Sequence, residues 1–133
     1  MVARQNKLNP ALFPVTRHHE RASVNKSLHE KIEVIESGYE FMLAYAAQGR
    51  ESDKGLDVRE TLENMSAAAA DIVGMLDEGD FAAVLADDAR KTRAAIGLVL
   101  AQEKISSELV DNLNVSIHLR ALVTDLFLLS ETH

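Results

Sequence analysis

The sequence predicts an all-α protein: an antiparallel four-helix bundle with an extended N-terminal arm. Three observations lead there. Both prolines, Pro10 and Pro14, lie near the amino terminus, so everything after them is free of the residue that breaks helix interiors. From about position 27 onward, apolar residues recur at spacings of three and four, the period of one helical face. No stretch shows the strict alternation of a half-buried strand.

Residues 1–26 read as a basic, partly extended arm, and residues 27–133 as the bundle. Within Leu8–Val15 the residue before each proline is biased away from helical geometry. Leu12 and Phe13 are apolar anchors in an otherwise polar segment, which assigns them to an interface. The charge is unevenly placed. Residues 1–26 carry Arg4, Lys7, Arg17, Arg21 and Lys26 against Glu20, a net +4, within a chain of net charge −7. The remainder is therefore −11. An acidic body repels nucleic acid and anionic membrane, so neither is expected as a partner. The arm is expected to dock on the acidic body of its own or a neighbouring subunit.

The first helix is expected from Ser27 to Gln48. Its stripe is Leu28, Ile32, Ile35, Tyr39, Met42 and Ala46, with Ser27 and Glu30 spaced as a capping box and Gly49 placed to terminate it. The second starts near Asp57, follows Val58, Leu62, Met65, Ala69, Ile72 and Leu76, and stops at Gly79. The third begins with Asp80 as N-cap and runs to about Lys104. Gly38, Gly74 and Gly97 fall inside these helices, where glycine costs about 1 kcal/mol relative to alanine. Close helix crossings would offset that cost.

The fourth helix, expected as one span from Ser107 to Leu129 with Ser106 or Ser107 as its cap, has two apolar stripes. One reads Leu109, Leu113, Ile117, Leu128. The other reads Val115, Leu119, Leu122, Leu126, Leu129. A helix packed on one side needs only one stripe. The second suggests a shared surface, and Leu119, Leu122, Leu126 and Leu129 are expected to pair with a second copy in a homo-oligomer, a dimer being the simplest.

Signals for chemistry are sparse. There is no cysteine, which excludes disulfides and thiolate ligands and suits a cytoplasmic protein. The amino terminus lacks the apolar core of a secretory signal. The longest apolar run, near Ala121–Leu129, falls well short of the roughly 20 residues that span a bilayer. His29, Glu33, Glu36 and Glu40 share one face of the first helix, but the Glu-x-x-His pairs of a di-iron bundle are absent, and the stripe reads as solvated surface. His18-His19-Glu20 reads as a solvated or partner-facing patch. Neither a metal nor another cofactor is expected.

No phosphate loop or nucleophile elbow is present. The leading expectation is a non-enzymatic protein-interaction module, an adaptor, assembly factor or small regulatory subunit, acting through its apolar C-terminal helix. Its partners would be itself and another protein. The alternative is a small helical enzyme or metabolite sensor with an anionic-ligand pocket between helices. Tyr39, Arg90, Arg93, His118 and Asp125 would supply its polar groups.

Overall fold

The computed structural model describes the backbone of residues 12–132 and side chains from residue 25. Among the described residues there are five helices and no strand: α1 (Leu12–Ala46), α2 (Val58–Met75), α3 (Asp80–Leu100), α4 (Ser107–Asn114) and α5 (Ile117–Thr132).

α1 starts well before the expected Ser27, so residues 12–26 are helical rather than an extended arm. Pro14 sits in the first turn, where a missing amide removes no intrahelical bond, and this overrides the bias against helix at Phe13. The rest of the expected arm, and the side chains of Leu12 and Phe13, lie outside what is described. At 1.5 Å per residue α1 is about 52 Å long, against about 27 Å for α2. Its last turn tightens: the amides of Ala47 and Gln48 donate to the carbonyls of Ala44 and Tyr45 at 3.2 and 3.1 Å. Gly49 then takes the left-handed conformation (φ 66°), as the sequence implies.

α2 begins after Asp57, whose carbonyl accepts from the Thr61 amide at 3.0 Å. Gly79, rather than Asp80, is the N-cap of α3. α3 ends at Leu100, short of Lys104, because Arg59 from α2 takes up carbonyls there: its guanidinium donates to Leu100 O (2.9 Å), Gln102 O (2.6 Å) and Glu103 O (2.9 Å).

The expected single fourth helix is two. Ser106 Oγ caps α4 by accepting from the Leu109 amide at 3.0 Å. Ser116 Oγ caps α5 by accepting from the Leu119 amide at 3.3 Å. The two axes meet at 56°. The break resets the helical phase, so residues on either side of Val115–Ser116 no longer share a face.

α1 packs against α2, α4 and α5, while α3 packs against α2, α4 and α5. The core between them holds Leu28, Ile32, Ile35 and Met42 of α1, Leu62 and Ile72 of α2, Leu85 and Ile96 of α3, and the inner leucines of α5. Burial of these side chains stabilises the fold by about 1.5–3 kcal/mol each relative to exposure. Gly38 sits at the α1–α2 crossing, where an added Cβ would lie 2.5 Å from Met65 Cγ. Gly74 and Gly97 have open space at the same position, so close crossing accounts for Gly38 alone of the three.

Candidate protein interaction surface

The leucines expected at an interface are core. Leu119, Leu122, Leu126 and Leu129 are at most 2% exposed within the single chain, packed into its own interior. They are corrected accordingly: with the helix broken at Ser116, α5 needs this face to close the core, and none of it remains for a second chain.

The surplus lies on the opposite face of α5. Ile117, Ala121, Thr124 and Leu128 follow spacings of four, three and four, which aligns them along one side. Ile117 is 76% exposed, Leu128 55% and the flanking Phe127 55%. Val115, at the α4–α5 corner, extends the strip and is 61% exposed. α5 is therefore apolar on two sides, as the sequence implies, with the two sides exchanged.

Val115, Ile117, Arg120, Ala121, Thr124 and Asp125 line a cavity of about 540 Å³ along this strip. Asp125 lies on the flank toward α3, 7% exposed, and its Oδ2 has no hydrogen-bond partner. Burial, and after it the hydrogen bond and charge of Asp88 on α3, push its carboxyl up to about 7. Arg120 has no ion-pair partner among the described residues. The α3–α5 seam is fixed nearby by Thr92 Oγ1, which donates to His118 O at 2.9 Å.

α4 is held by a polar network that the sequence did not announce. The buried Tyr45 hydroxyl donates to Ile105 O at 2.6 Å. Ser107 Oγ donates to Tyr45 O (2.7 Å) and accepts from the Arg50 amide (2.8 Å). Asp53 Oδ1 accepts from the Ile105 amide and its Oδ2 from Arg59 Nε, both at 2.9 Å. Burial disfavours the Asp53 charge, but the bonds from Ile105, its own amide and Arg59 more than offset this and hold the carboxyl below its ordinary range. The Tyr45 hydroxyl is raised by burial and then by the Asp53 charge. Asn114 donates to Met42 O at 3.0 Å, joining α4 to α1. These side chains join segments 52 to 72 residues apart, leaving no periodic trace in the sequence.

The residues expected to form a ligand pocket are dispersed. Arg90 and Arg93 line a cleft of about 280 Å³ between α2 and α3, with Ala70, Val73, Ala86 and Ala89. Arg90 is engaged by Asp87 at 2.8 Å and Arg93 by Ser66 at 3.2 Å. Tyr39 is half-buried on α1, His118 is half-buried in the first turn of α5, and Asp125 belongs to the other cavity. The glutamate stripe of α1 is largely exposed, and no group of three metal-ligating side chains occurs among the described residues. No single helix among them is long and apolar enough to cross a membrane. Comparison with protein-family models, curated proteins and solved structures finds no match to this chain.

Proposed function

We infer that this is a non-enzymatic interaction module whose working surface is the outer face of α5. The carrying observation is the strip Val115, Ile117, Ala121, Thr124, Phe127 and Leu128, an apolar row left in solvent although the core is already closed by the other face of the helix. Contiguous exposed apolar surface of this kind marks association sites.

The occupant in this reading is a second copy. Small residues, Ala121 and Thr124, stand at the middle of the strip and large ones at its ends. Two such strips crossing antiparallel about a point midway between Ala121 and Thr124 put Ile117 of each copy near Leu128 of the other, a self-complementary two-fold contact. A cysteine-free chain suits a reducing compartment, and the proposal places the protein in the cytoplasm, its helices running up and down as an antiparallel frame that presents α5. A pocket for an anionic metabolite finds less support. Only two of its five residues meet, and both arginines already have partners.

The absence of native cysteine supplies the test. A single cysteine at Thr124 should form an interchain disulfide on mild oxidation at micromolar protein. A cysteine at the exposed Glu63 of α2 should not. If the Thr124→Cys protein stays monomeric, or crosslinks no faster than the Glu63→Cys protein, the α5 contact is absent.

A further inference from the structure

The acid pair on the α3–α5 seam lacks a cation, and the surface of α3 beside it has one to spare. Asp125 is 7% exposed, and its Oδ2 has no hydrogen-bond partner. Asp88 faces it from α3 and makes no ion pair among the described residues. Arg120 borders the same cavity but stands about 140° around the helix from Asp125, on the flank away from α3. At the neighbouring Asp87 the balance is reversed. It is engaged by two cations, Arg90 at 2.8 Å and Lys91 at 3.0 Å. Both ends of the Lys91–Asp87 pair are nearly half exposed, and such pairs hold weakly. Lys91 can therefore leave Asp87 to Arg90.

Register holds Lys91 away from the Asp125 of its own chain. Thr92 of α3 meets His118 of α5, while Asp88, one turn earlier on α3, faces Asp125, two turns later on α5. Lys91 thus stands level with about position 120 of its own α5, about 7 Å along the axis from Asp125. It lies on the outer side of α3, in a row with Val84 and Leu98 at spacings of seven, which are 50% and 69% exposed. Three positions from Asp88, this row adjoins the seam on its solvent side.

A second copy docked through α5 changes this. Pairing the strips about a point midway between Ala121 and Thr124 sets position 120 of one copy level with Asp125 of the other. Lys91, level with about position 120 of its own α5, therefore comes level with Asp125 of the second copy. The two also share a side. The two-fold that reverses one α5 against the other runs across both helices within the plane of contact, so the α3 flank of one copy stays beside the α3 flank of its mate. Asp125 is on that flank, and the Arg120 side chains gather on the opposite one. We propose that Lys91 of each copy pairs with Asp125 of the other across the α5 contact, on which this inference rests, so that the dimer supplies the cation each single chain lacks. Without it, closing the strips would strip water from two facing carboxylates, a burial of charge that opposes association. With it, the acid pair favours a second copy over an apolar surface that brings no cation.

The test uses full-length chains at pH 8, above the value near 7 to which burial pushes the Asp125 carboxyl. Lys91→Met and Asp125→Asn each remove both pairs from their own homodimer. Each should raise the dimer dissociation constant about tenfold or more, read by sedimentation equilibrium. Asp125→Asn should do so while stabilising the dilute chain, a separation that a merely structural role would not give. Lys91→Arg, which keeps the charge, should leave the dimer close to wild type. When the Lys91→Met and Asp125→Asn proteins are mixed, one Lys91–Asp125 pair re-forms in the mixed dimer. Native mass spectrometry should then show that dimer above the share that random pairing gives. Lys91 is exposed and asparagine matches aspartate in size, so these variants keep the fold, which helical circular dichroism checks. Undiminished homodimers, or a mixed dimer at its random share, would overturn the proposal. The Thr124 crosslink separates the two readings. If it forms while the mixed dimer shows no excess, the α5 contact stands and the Lys91–Asp125 pair falls; if it does not form, both fall.

Discussion

The carboxyl of Asp125 on α5 is buried against Asp88 on α3, two acids facing each other across a helix seam, with Arg120 the only cation among the described residues that line the adjoining cavity. Two carboxylates this close favour a proton between them. The Asp125 value near 7 lies above the ordinary 3.8, so the folded state binds the proton more tightly than the unfolded chain. Its contribution to stability is therefore full below about pH 4, declines as pH rises toward 7, and stays low above that. Asp125→Asn removes the charge and offers an amide donor to Asp88. It should raise stability at pH 8 by about 1–3 kcal/mol and make little difference near pH 4. Chemical denaturation at the two pH values checks this. A variant less stable than wild type at pH 8 would show that the pair is not strained.

Arg59 should be the most sensitive of the partly exposed positions. Its guanidinium serves Asp53 and three carbonyls where α3 ends. Arg59→Ala strands those carbonyls and should cost about 2 kcal/mol, allowing for the partial exposure of the side chain. Arg59→Lys should recover less than half, because an ammonium cannot reproduce the planar fork. Asp53 titrates opposite to Asp125: its stabilising effect is present at neutral pH and disappears as pH falls through its depressed value. Urea midpoints for the two variants give the measurement.

Two helical glycines should respond with opposite signs. Gly97→Ala places a methyl in open space and should stabilise by about 0.5–1 kcal/mol through helix propensity. Gly38→Ala forces Met65, itself buried, out of position. That overpacking costs about 1–3 kcal/mol and should outweigh the same propensity gain. Equal stabilisation by both would mean α1 and α2 are less closely packed than described.

Leucines on the two faces of α5 should also separate. Leu122→Asp puts an unpaired charge into the core, costs several kcal/mol, and should abolish the cooperative melt. Leu128→Asp should leave the stability of the isolated chain within about 0.5 kcal/mol of wild type. Circular dichroism melts of dilute protein distinguish them.

The stripes Leu28–Ile32–Ile35 and Val58–Leu62–Met65 were legible because burial on one side imposes a period of 3.6 on the sequence. The break before Ile117 was not. Ser116 carries an N-cap signal, but apolar residues continue across it at helical spacing, and only packing decides that a new helix starts there. That break explains why Leu119, Leu122, Leu126 and Leu129, expected at an interface, are core. The start of α1 was hidden by Pro14, which is a helix breaker everywhere except in a first turn. From the sequence Asp125 reads as a polar group of a ligand pocket. Its neighbour Asp88 sits 37 positions away on another helix, a relation no local pattern carries. The Tyr45–Ile105 and Ser107–Tyr45 bonds, across 60 and 62 positions, leave no local pattern either.

The central claim is that the outer face of α5 joins two copies. Sedimentation equilibrium at micromolar concentration measures it most directly, comparing wild type with Ile117→Asp/Leu128→Asp. The wild-type chain should exceed monomer mass, and the double variant, equally helical, should lose the part of that association made through α5, falling by a factor of two in mass at matched concentration. A monomeric wild type, or a folded double variant with unchanged mass, would contradict the account.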